Sequence, residues 1–447
     1  MESKQVSANA SIAWAKFIIC SAIGIFMFFI SIRLTIGGVT RNTIPLDHLH
    51  HFARSLFGPM AAGRQQIVAL VIMIIGAIYP FVKKIWKQNT MQIVFTFFKV
   101  MGAVAGIMHV FTLGPAVLHQ SNLLPFLFNV LCVPLAFLIP IGSLFLYFLT
   151  NYGLMEFVGS YLQPAMRKVW RTPGRSAVDA VASFIGSYAL SMLITDKLYQ
   201  EGKYNKQEAA IILTGFSTVS VTFLVVVANA YGLMERWNFF FWTTLLVTFA
   251  ATAVTARIFP LSKIPREYYE LATPTQEEPI KSNRFKVSVD GAIRVAASSG
   301  NVGKNMFDSF KAGCRMIITI LPTIMSIGLT GMLIAEFTPV FNIVGYIFFP
   351  FTALVQVPDA LLAAQALATG IIEMFLPAAF LTADHALHTR YVVAVSGVSA
   401  VIFFSAVVPC ILSTKVPLKV SQLVIIWVER LILSILFSGI IALVFLR

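Results

Sequence analysis

Long apolar runs recur along the whole chain and constrain its fold more than any other feature. An α-helix needs about 18 to 20 mainly apolar residues to cross the hydrocarbon core of a bilayer. Nine runs reach that length. They lie near residues 12–36, 65–82, 91–118, 123–150, 207–232, 237–259, 315–336, 390–413 and 419–446. We therefore predict an all-α polytopic membrane protein with about nine transmembrane helices.

The composition excludes a soluble globular enzyme. Charged residues make up 12% of the 447 positions, whereas soluble domains carry roughly 25%. Nucleophile elbows, HExxH motifs, phosphate-binding loops and dinucleotide fingerprints are absent from the sequence, so we expect no enzyme activity and no resident cofactor. The four cysteines, Cys20, Cys132, Cys314 and Cys410, stand alone in apolar surroundings and predict neither disulfides nor a metal cluster.

The positive charges predict the orientation in the membrane. If the N-terminus is cytoplasmic, 24 of the 33 lysines and arginines fall on the cytoplasmic side and seven on the other side. This asymmetry follows the positive-inside rule, so the net charge of +14 indicates no nucleic-acid partner. We expect a multi-pass protein of a bacterial inner membrane, with a retained first span, a cytoplasmic N-terminus and an outer C-terminus.

Two further apolar stretches, 176–195 and 359–383, do not fit the scheme of crossings. Gly186 interrupts the first stretch and Gly370 the second. Each half is about 10 residues, which as a helix reaches only roughly 15 Å, or about the middle of the bilayer. We interpret both as re-entrant helical hairpins. The alternative is one ordinary crossing apiece with a tolerated glycine.

The second half of the chain repeats the order of the first. Gly159 to Pro164 matches Gly345 to Pro350, tip Gly186 matches Gly370, and Gly215 to Val219 matches Gly397 to Val401, at offsets of 182 to 186. Each unit has three crossings, so the second copy must be inverted. Inverted repeats with discontinuous helices build the substrate site of many secondary transporters. The predicted units are a three-helix addition 1–122, repeat 123–260 with hairpin 176–202, cytoplasmic linker 261–311 with interfacial helices, and repeat 312–447 with hairpin 359–387.

This order of crossing, amphipathic segment, hairpin and serine-bearing crossing resembles the gate-domain (nucleoside-recognition) membrane proteins. The stretch Gly174 to Ala180 is similar to the YjiH-like subgroup, and the resemblance covers about 123–446. It implies a fold similar to concentrative nucleoside transporters, in which the hairpin tips and neighbouring spans hold the solute and the core can move as an elevator. Carried over by position, the substrate-binding candidates are Ser183, Gly186, Ser187, Thr214, Ser217, Thr218, Thr369, Gly370, Glu373, Ser396 and Ser399.

Glu373 and the segment from Asp47 to His51 each allow two interpretations, one functional and one structural. Glu373 is the acid closest to a hairpin tip, where a carboxylate indicates proton coupling, cation binding or a hydrogen bond to solute; the alternative is a cap on the first turn of the returning helix. Asp47, His48, His50 and His51 carry groups that bind divalent metals, but in a surface loop they would have no fixed ligand geometry, so we predict no metal site.

The function that these features predict is secondary transport. We expect a transporter or permease for a small polar solute, nucleoside-like or another small metabolite, that works by alternating access and is coupled to a proton or sodium ion. Its partners are the solute, the lipid bilayer, and either further copies of the chain or a second gate-domain protein. The alternative is a non-transporting membrane subunit that assembles with such a protein.

Overall fold

The computed structural model describes residues 2–36, 39–87, 90–121, 123–185, 188–274, 283–381 and 384–446. These residues form eighteen α-helices and one antiparallel hairpin of two strands, which confirms the all-α class. In chain order the elements are α1 Glu2–Phe29, β1 Ile32–Ile36, β2 Val39–Thr43, α2 Pro45–Ser55, α3 Arg64–Val82, α4 Thr90–Val110, α5 Val133–Thr150, α6 Leu154–Ala165, α7 Ser176–Ile185, α8 Tyr188–Gln200, α9 Lys206–Gly215, α10 Val221–Ala230, α11 Trp237–Thr255, α12 Arg284–Ser298, α13 Val302–Phe337, α14 Val340–Leu354, α15 Ala360–Thr369, α16 Leu387–Ser399, α17 Val407–Ser413 and α18 Val420–Phe445.

Seven helical segments in the described residues are long and apolar enough to cross a membrane, and each coincides with a predicted span. They present apolar side chains such as Ile67, Phe97 and Leu246 on the outside of the molecule. Large apolar side chains exposed all around a bundle are covered by lipid rather than water. The seven segments are Ile12–Phe29, Arg64–Val82, Gln92–Val110, Phe126–Thr150, Met234–Thr255, Val302–Phe337 and Val420–Phe445.

The other two predicted spans are broken helices, a difference from the continuous crossings expected there. Span 207–232 consists of α9 and α10 with a break at 216–220, and span 390–413 consists of α16 and α17 with a break at 400–406. Ser220 begins the second half of the first span as an N-cap, its Oγ accepting a hydrogen bond from Phe223 N at 3.3 Å. In each span the break lies near the middle of the predicted crossing.

The internal repeat is visible in the element boundaries. Helices α7 and α15 begin and end 184 positions apart. Both breaks contain a hydrogen bond between residues two apart, from Thr218 N to Phe216 O at 2.8 Å and, again 184 positions later, from Ile402 N to Ala400 O at 2.7 Å. The sequence matches at offsets of 182 to 186 therefore reflect one structural repeat.

Gly159 and Gly345, which occupy equivalent positions in the repeat, lie where α6 and α14 contact the hairpins beside them. A Cβ atom on Gly159 of α6 would lie 2.6 Å from Val178 Cγ2 of α7. A Cβ atom on Gly345 of α14 would lie 2.6 Å from Gln365 Cγ of α15. Each helix pair needs glycine at this position because any side chain would separate the backbones.

The two hairpins differ in their second arms. The first consists of α7 and α8, which pack against each other as predicted. The second begins with α15, but its return is a short 3-10 helix, Leu376–Phe380, in place of a second α-helix. Pro377 stands in the first turn of that segment, where its missing N–H is tolerated.

Two hydrogen bonds, each between a helix near a hairpin's open end and a segment outside the helices, show that the hairpins open at opposite ends of the molecule. Near the open end of the first hairpin, Lys415 N donates to Asp196 Oδ1 at 2.7 Å. Near the open end of the second, Arg390 Nη1 donates to Tyr231 O at 2.8 Å, and Tyr231 follows α10, on the other side of a crossing from Lys206. The two hairpins therefore point in opposite directions, as an inverted repeat requires.

Candidate functional site

A cavity of about 250 Å³ lies where the two repeats meet. Both helix breaks contribute to its wall through Val219 and Phe403, which are 184 positions apart. The tip region of the second hairpin contributes Glu373. The remaining lining residues are Gln92, Phe95, Lys99, Ile139, Tyr188, Ser220, Phe223, Met316, Thr319, Ile320, Thr323, Ile324, Ser405, Ala406 and Cys410.

Backbone hydrogen bonds attach the second break to the second hairpin. Phe404 N donates to Ile371 O at 2.8 Å, and Ser405 N donates to Ile372 O at 2.9 Å. These two bonds pair backbone groups that the break would otherwise leave without partners in a dry interior. They also bring Ser405 beside Glu373, which directly follows Ile372 in the chain.

The carboxylate of Glu373 is the charged centre of this wall. The residue is 3% exposed and accepts a short hydrogen bond from Ser405 Oγ. The short 3-10 helix Leu376–Phe380 follows it, and no side-chain hydrogen bond caps the start of that described helix. The structure therefore places the Glu373 carboxylate in the cavity wall, bonded to Ser405.

Aromatic contacts connect each repeat with the hairpin of the other. Tyr188, the first residue of α8, has its ring centroid 6.3 Å from that of Phe403 in the second break. Phe223 of α10 has its ring centroid 6.4 Å from that of Phe375 after the second tip. All but Phe375 line the cavity, so its wall is largely apolar with a few polar groups. Such a wall is typical of sites for small organic solutes.

The N-terminal addition contributes a cation to the same cavity. Lys99 of α4 lines it and is 8% exposed. Within the part of the chain that the structure describes, no carboxylate lies within ion-pair distance of its ammonium group. Lys99 therefore places the ammonium group of the N-terminal addition at the cavity wall.

Most of the other predicted candidates bond to protein groups outside the cavity. Ser183 Oγ donates to Thr218 O at 3.1 Å, which attaches the first hairpin to the first break. Thr214 and Thr369 donate to carbonyls of their own helices, Ala210 O and Ala366 O. These hydroxyls have the local backbone bonds that membrane helices commonly use.

Ser396 and Ser399 face neighbouring helices. The hydroxyls of Ser396 and Ser438 lie 3.0 Å apart, and Thr248 Oγ1 donates to Ser399 Oγ at 2.9 Å. Both contacts join α16 to its packing partners, α18 and α11. The structure therefore places these two serines at helix interfaces.

The remaining candidates lie at the break and the tips. The hydroxyl oxygens of Ser217 and Thr218 are buried and have no hydrogen-bond partner within the described residues. Gly370 forms the turn after α15, and Gly186 and Ser187 lie outside the described residues. Among the predicted residues that the structure describes, Glu373 is the one that lines the cavity.

The predicted residues omitted four polar groups of the cavity: Gln92, Thr319, Thr323 and Ser405. The spacing of Thr319 and Thr323 places them on one face of α13, a signal that was available. Ser405 had no such signal, because only the tertiary bonds of the second break bring it to Glu373.

Two sequence comparisons match this chain. The family described as Gate, nucleoside recognition, matches residues 132–234, which lie within the first repeat. The uncharacterized protein BpOF4_10220 of Alkalihalophilus pseudofirmus is 32% identical over 445 residues, covering 94% of this chain and 92% of the relative.

Two solved structures are similar in outline, both of variants of CNTnw in an outward-facing state. One is 13% identical with a TM-score of 0.38 and covers 98% of each chain. The other is 14% identical with a TM-score of 0.39 and covers 95% of this chain and 99% of its own. On the match over nearly its full length and on the matching gate region, the chain belongs to the gate-domain, or nucleoside-recognition, family of multi-pass membrane proteins.

Proposed function

We propose that the protein is a secondary-type transporter or permease that carries a small polar solute by alternating access. One observation carries the proposal: the cavity lies between two repeats at their helix breaks and is lined by Glu373, Ser405 and Ser220. A channel for ions would need a continuous polar path, whereas a largely apolar wall with a few polar groups suits an organic solute.

The broken helices supply polar groups for such a solute. Helix α10 begins at Val221, directly after the cavity residue Ser220, so the positive end of its dipole lies at the cavity wall. Solute groups that accept hydrogen bonds are favoured at this end. Glu373 and Lys99 add one carboxylate and one ammonium group, and we propose that Glu373 binds the coupling proton or sodium ion.

We further propose that each hairpin moves together with its broken helix, as in an elevator. Two contacts support this grouping. The bond from Ser183 to Thr218 O joins the first hairpin to the first break, and the backbone bonds from Phe404 and Ser405 join the second pair. The scaffold helices α6 and α14 contact the hairpins at the glycines described above, which permit close packing without interlocking side chains.

Uptake by purified protein in liposomes tests the proposal. The vesicles are given a proton or sodium gradient and a panel of nucleosides, bases, amino acids and dipeptides. We expect saturable, gradient-driven uptake of at least one solute. Absence of flux with every solute, together with constant co-purification of a second gate-domain protein, would contradict transport and support the alternative of a non-transporting subunit.

The coupling role is tested with a matched pair of variants. Glu373→Gln keeps the shape of the side chain and removes its charge, so uptake should no longer follow the gradient. Glu429→Gln makes the same change on α18, at a carboxylate that does not line the cavity, and should leave coupling intact. If uptake by Glu373→Gln follows the gradient as in the unaltered protein, Glu373 has no role in coupling.

A further inference from the structure

A cluster of metal-binding side chains lies on α2, far along the chain from the cavity residues. Asp47, His50 and His51 stand at positions i, i+3 and i+4 of this helix, a spacing that places them on one face. The sequence predicted a surface loop here, but residues 45–55 are helical and the first four positions of α2 are buried. The helix gives the three side chains the fixed geometry that a loop would lack.

We infer that Asp47, His50 and His51 form a binding site for a divalent transition metal of the zinc type. His50 Nδ1 lies 3.6 Å from Asp47 Oδ1, and His51 Nε2 lies 3.6 Å from Asp47 Oδ2. One ligand atom from each residue can be chosen so that all three lie within 4.8 Å of one another. Ligands about 2.0 to 2.1 Å from a tetrahedral zinc ion are roughly 3.3 Å apart, so small side-chain rotations suffice.

The state of His50 points to a ligand. It is 2% exposed, and neither ring nitrogen has a hydrogen-bond partner within the described residues. Buried polar atoms without partners are rare, since each costs the free energy of its lost hydration. A metal ion would supply the missing partner for one nitrogen. His50 and His51 also line a cavity of about 200 Å³, which leaves room for the ion and a fourth ligand such as water.

The carboxylate of the cluster is oriented by a residue from another element. Asn229, near the end of α10, donates from Nδ2 to Asp47 Oδ1 at 3.0 Å. Such outer contacts hold ligands in position at metal sites. A metal bound to Asp47 would therefore fix α2 against the end of α10.

Two neighbouring cations oppose a metal here: Arg54 lines the same cavity as His50 and His51, and Arg41 contacts His51 directly. Arg41 Nη1 lies 3.1 Å from His51 Nε2, so the guanidinium occupies the place that the ion needs. Arg41 belongs to β2 and is exposed, so it can turn away into solvent. Removing it should free the ligand nitrogen and remove a nearby positive charge.

The test is zinc titration by calorimetry on the full chain in detergent, purified without a polyhistidine tag and treated with a chelator. We expect one Zn²⁺ per chain. His50→Gln and His51→Gln should each weaken binding at least tenfold, and Arg41→Ala should strengthen it several-fold. His48→Gln is the matched control, because His48 lies on the same helix but pairs through Nε2 with Ile32 O at 3.0 Å. It should bind like the unaltered protein.

Zinc-edge X-ray absorption of the complex should show two imidazole nitrogens at about 2.0 Å. Unchanged affinity in both His50→Gln and His51→Gln would overturn the inference, as would failure of both the unaltered protein and Arg41→Ala to bind zinc. If His50→Gln does not fold, the zinc affinities of His51→Gln and Arg41→Ala still test the inference, because both side chains are at least partly exposed.

Discussion

Arg430 Nη1 of α18 donates a hydrogen bond to Thr252 Oγ1 of α11 at 2.9 Å, with both side chains fully buried. The same guanidinium donates from Nη2 to Ser399 O at 2.8 Å and from Nε to Ala400 O at 3.2 Å. Thr252 Oγ1 in turn lies 2.9 Å from Gly215 O and 2.7 Å from Thr248 O of its own helix, and its single proton is shared between these two carbonyls. These bonds connect the carbonyl ends of α9 and α16, the two helices that stop inside the predicted crossings. The last carbonyls of a helix have no partner within it, so both breaks depend on this network.

Arg430→Met should destabilise the protein. Met fills similar space but leaves the carbonyls of Ser399 and Ala400 buried without donors. We expect a loss of on the order of 3 kcal/mol in the free energy of unfolding, since hydrogen bonds from a charged donor are worth about 1.5 to 3 kcal/mol each and relief of the buried charge returns part of this. Unfolding titrations in detergent measure it. Arg236→Met, at a site that is exposed, is the control, and equal stability of the two variants would contradict the capping role.

Gly215→Ala should destabilise the protein on its own and should be tolerated better when combined with Thr252→Ser. An added Cβ would lie 2.3 Å from Thr252 Cγ2, so we expect a loss of about 2 kcal/mol from overpacking. Thr252→Ser removes that methyl group and keeps the hydroxyl that bonds to Gly215 O. In the Thr252→Ser background the cost of Gly215→Ala should therefore fall by more than half, measured by a double-mutant cycle of unfolding free energies. Additive losses would show that the two side chains do not meet.

Ser405→Ala should weaken transport more than Ser396→Ala. Ser405 donates to Glu373 in the cavity wall, whereas Ser396 pairs with Ser438 between helices. Loss of a hydrogen bond to a carboxylate, worth about 1.5 to 3 kcal/mol, predicts roughly a tenfold or larger rise in the KM for uptake with Ser405→Ala and little change with Ser396→Ala. Uptake assays over a range of solute concentrations distinguish the two variants. The reverse ranking would return Ser396 to the list of residues that contact solute.

The continuous helices were predictable from the sequence because their apolar runs are as long as a bilayer is thick. The breaks were not. Residues 216–220 and 400–406 contain neither glycine nor proline, and both lie inside long, mainly apolar runs. Val401 even has φ of 65°, which is strained for a β-branched residue, so tertiary bonds and not local preference hold this turn.

The same reason explains the uneven prediction of the site. Glu373 could be found because a carboxylate inside an apolar hairpin is costly and stands out. Ser405 and Arg430 could not, since their roles depend on which backbone groups the breaks expose. For α2, Pro45 and Asp47 in the first turn were a helix signal that reading the segment as a loop overlooked.

The opposite openings of the two hairpins predict opposite labelling of their ends. Cys20, Cys132, Cys314 and Cys410 are first replaced by alanine, and single cysteines are then introduced as Lys203→Cys and Asp384→Cys. Lys203 follows α8 at the open end of the first hairpin, and Asp384 precedes α16 at that of the second. A membrane-impermeant maleimide added to intact cells should label one position, and labelling of both should require permeabilised cells. Glu267→Cys should behave like Lys203→Cys, because Glu267 pairs with Lys206, and Glu235→Cys should behave like Asp384→Cys. Labelling of positions 203 and 384 from one side would show that the hairpins enter from the same face, and the repeat would then not be inverted.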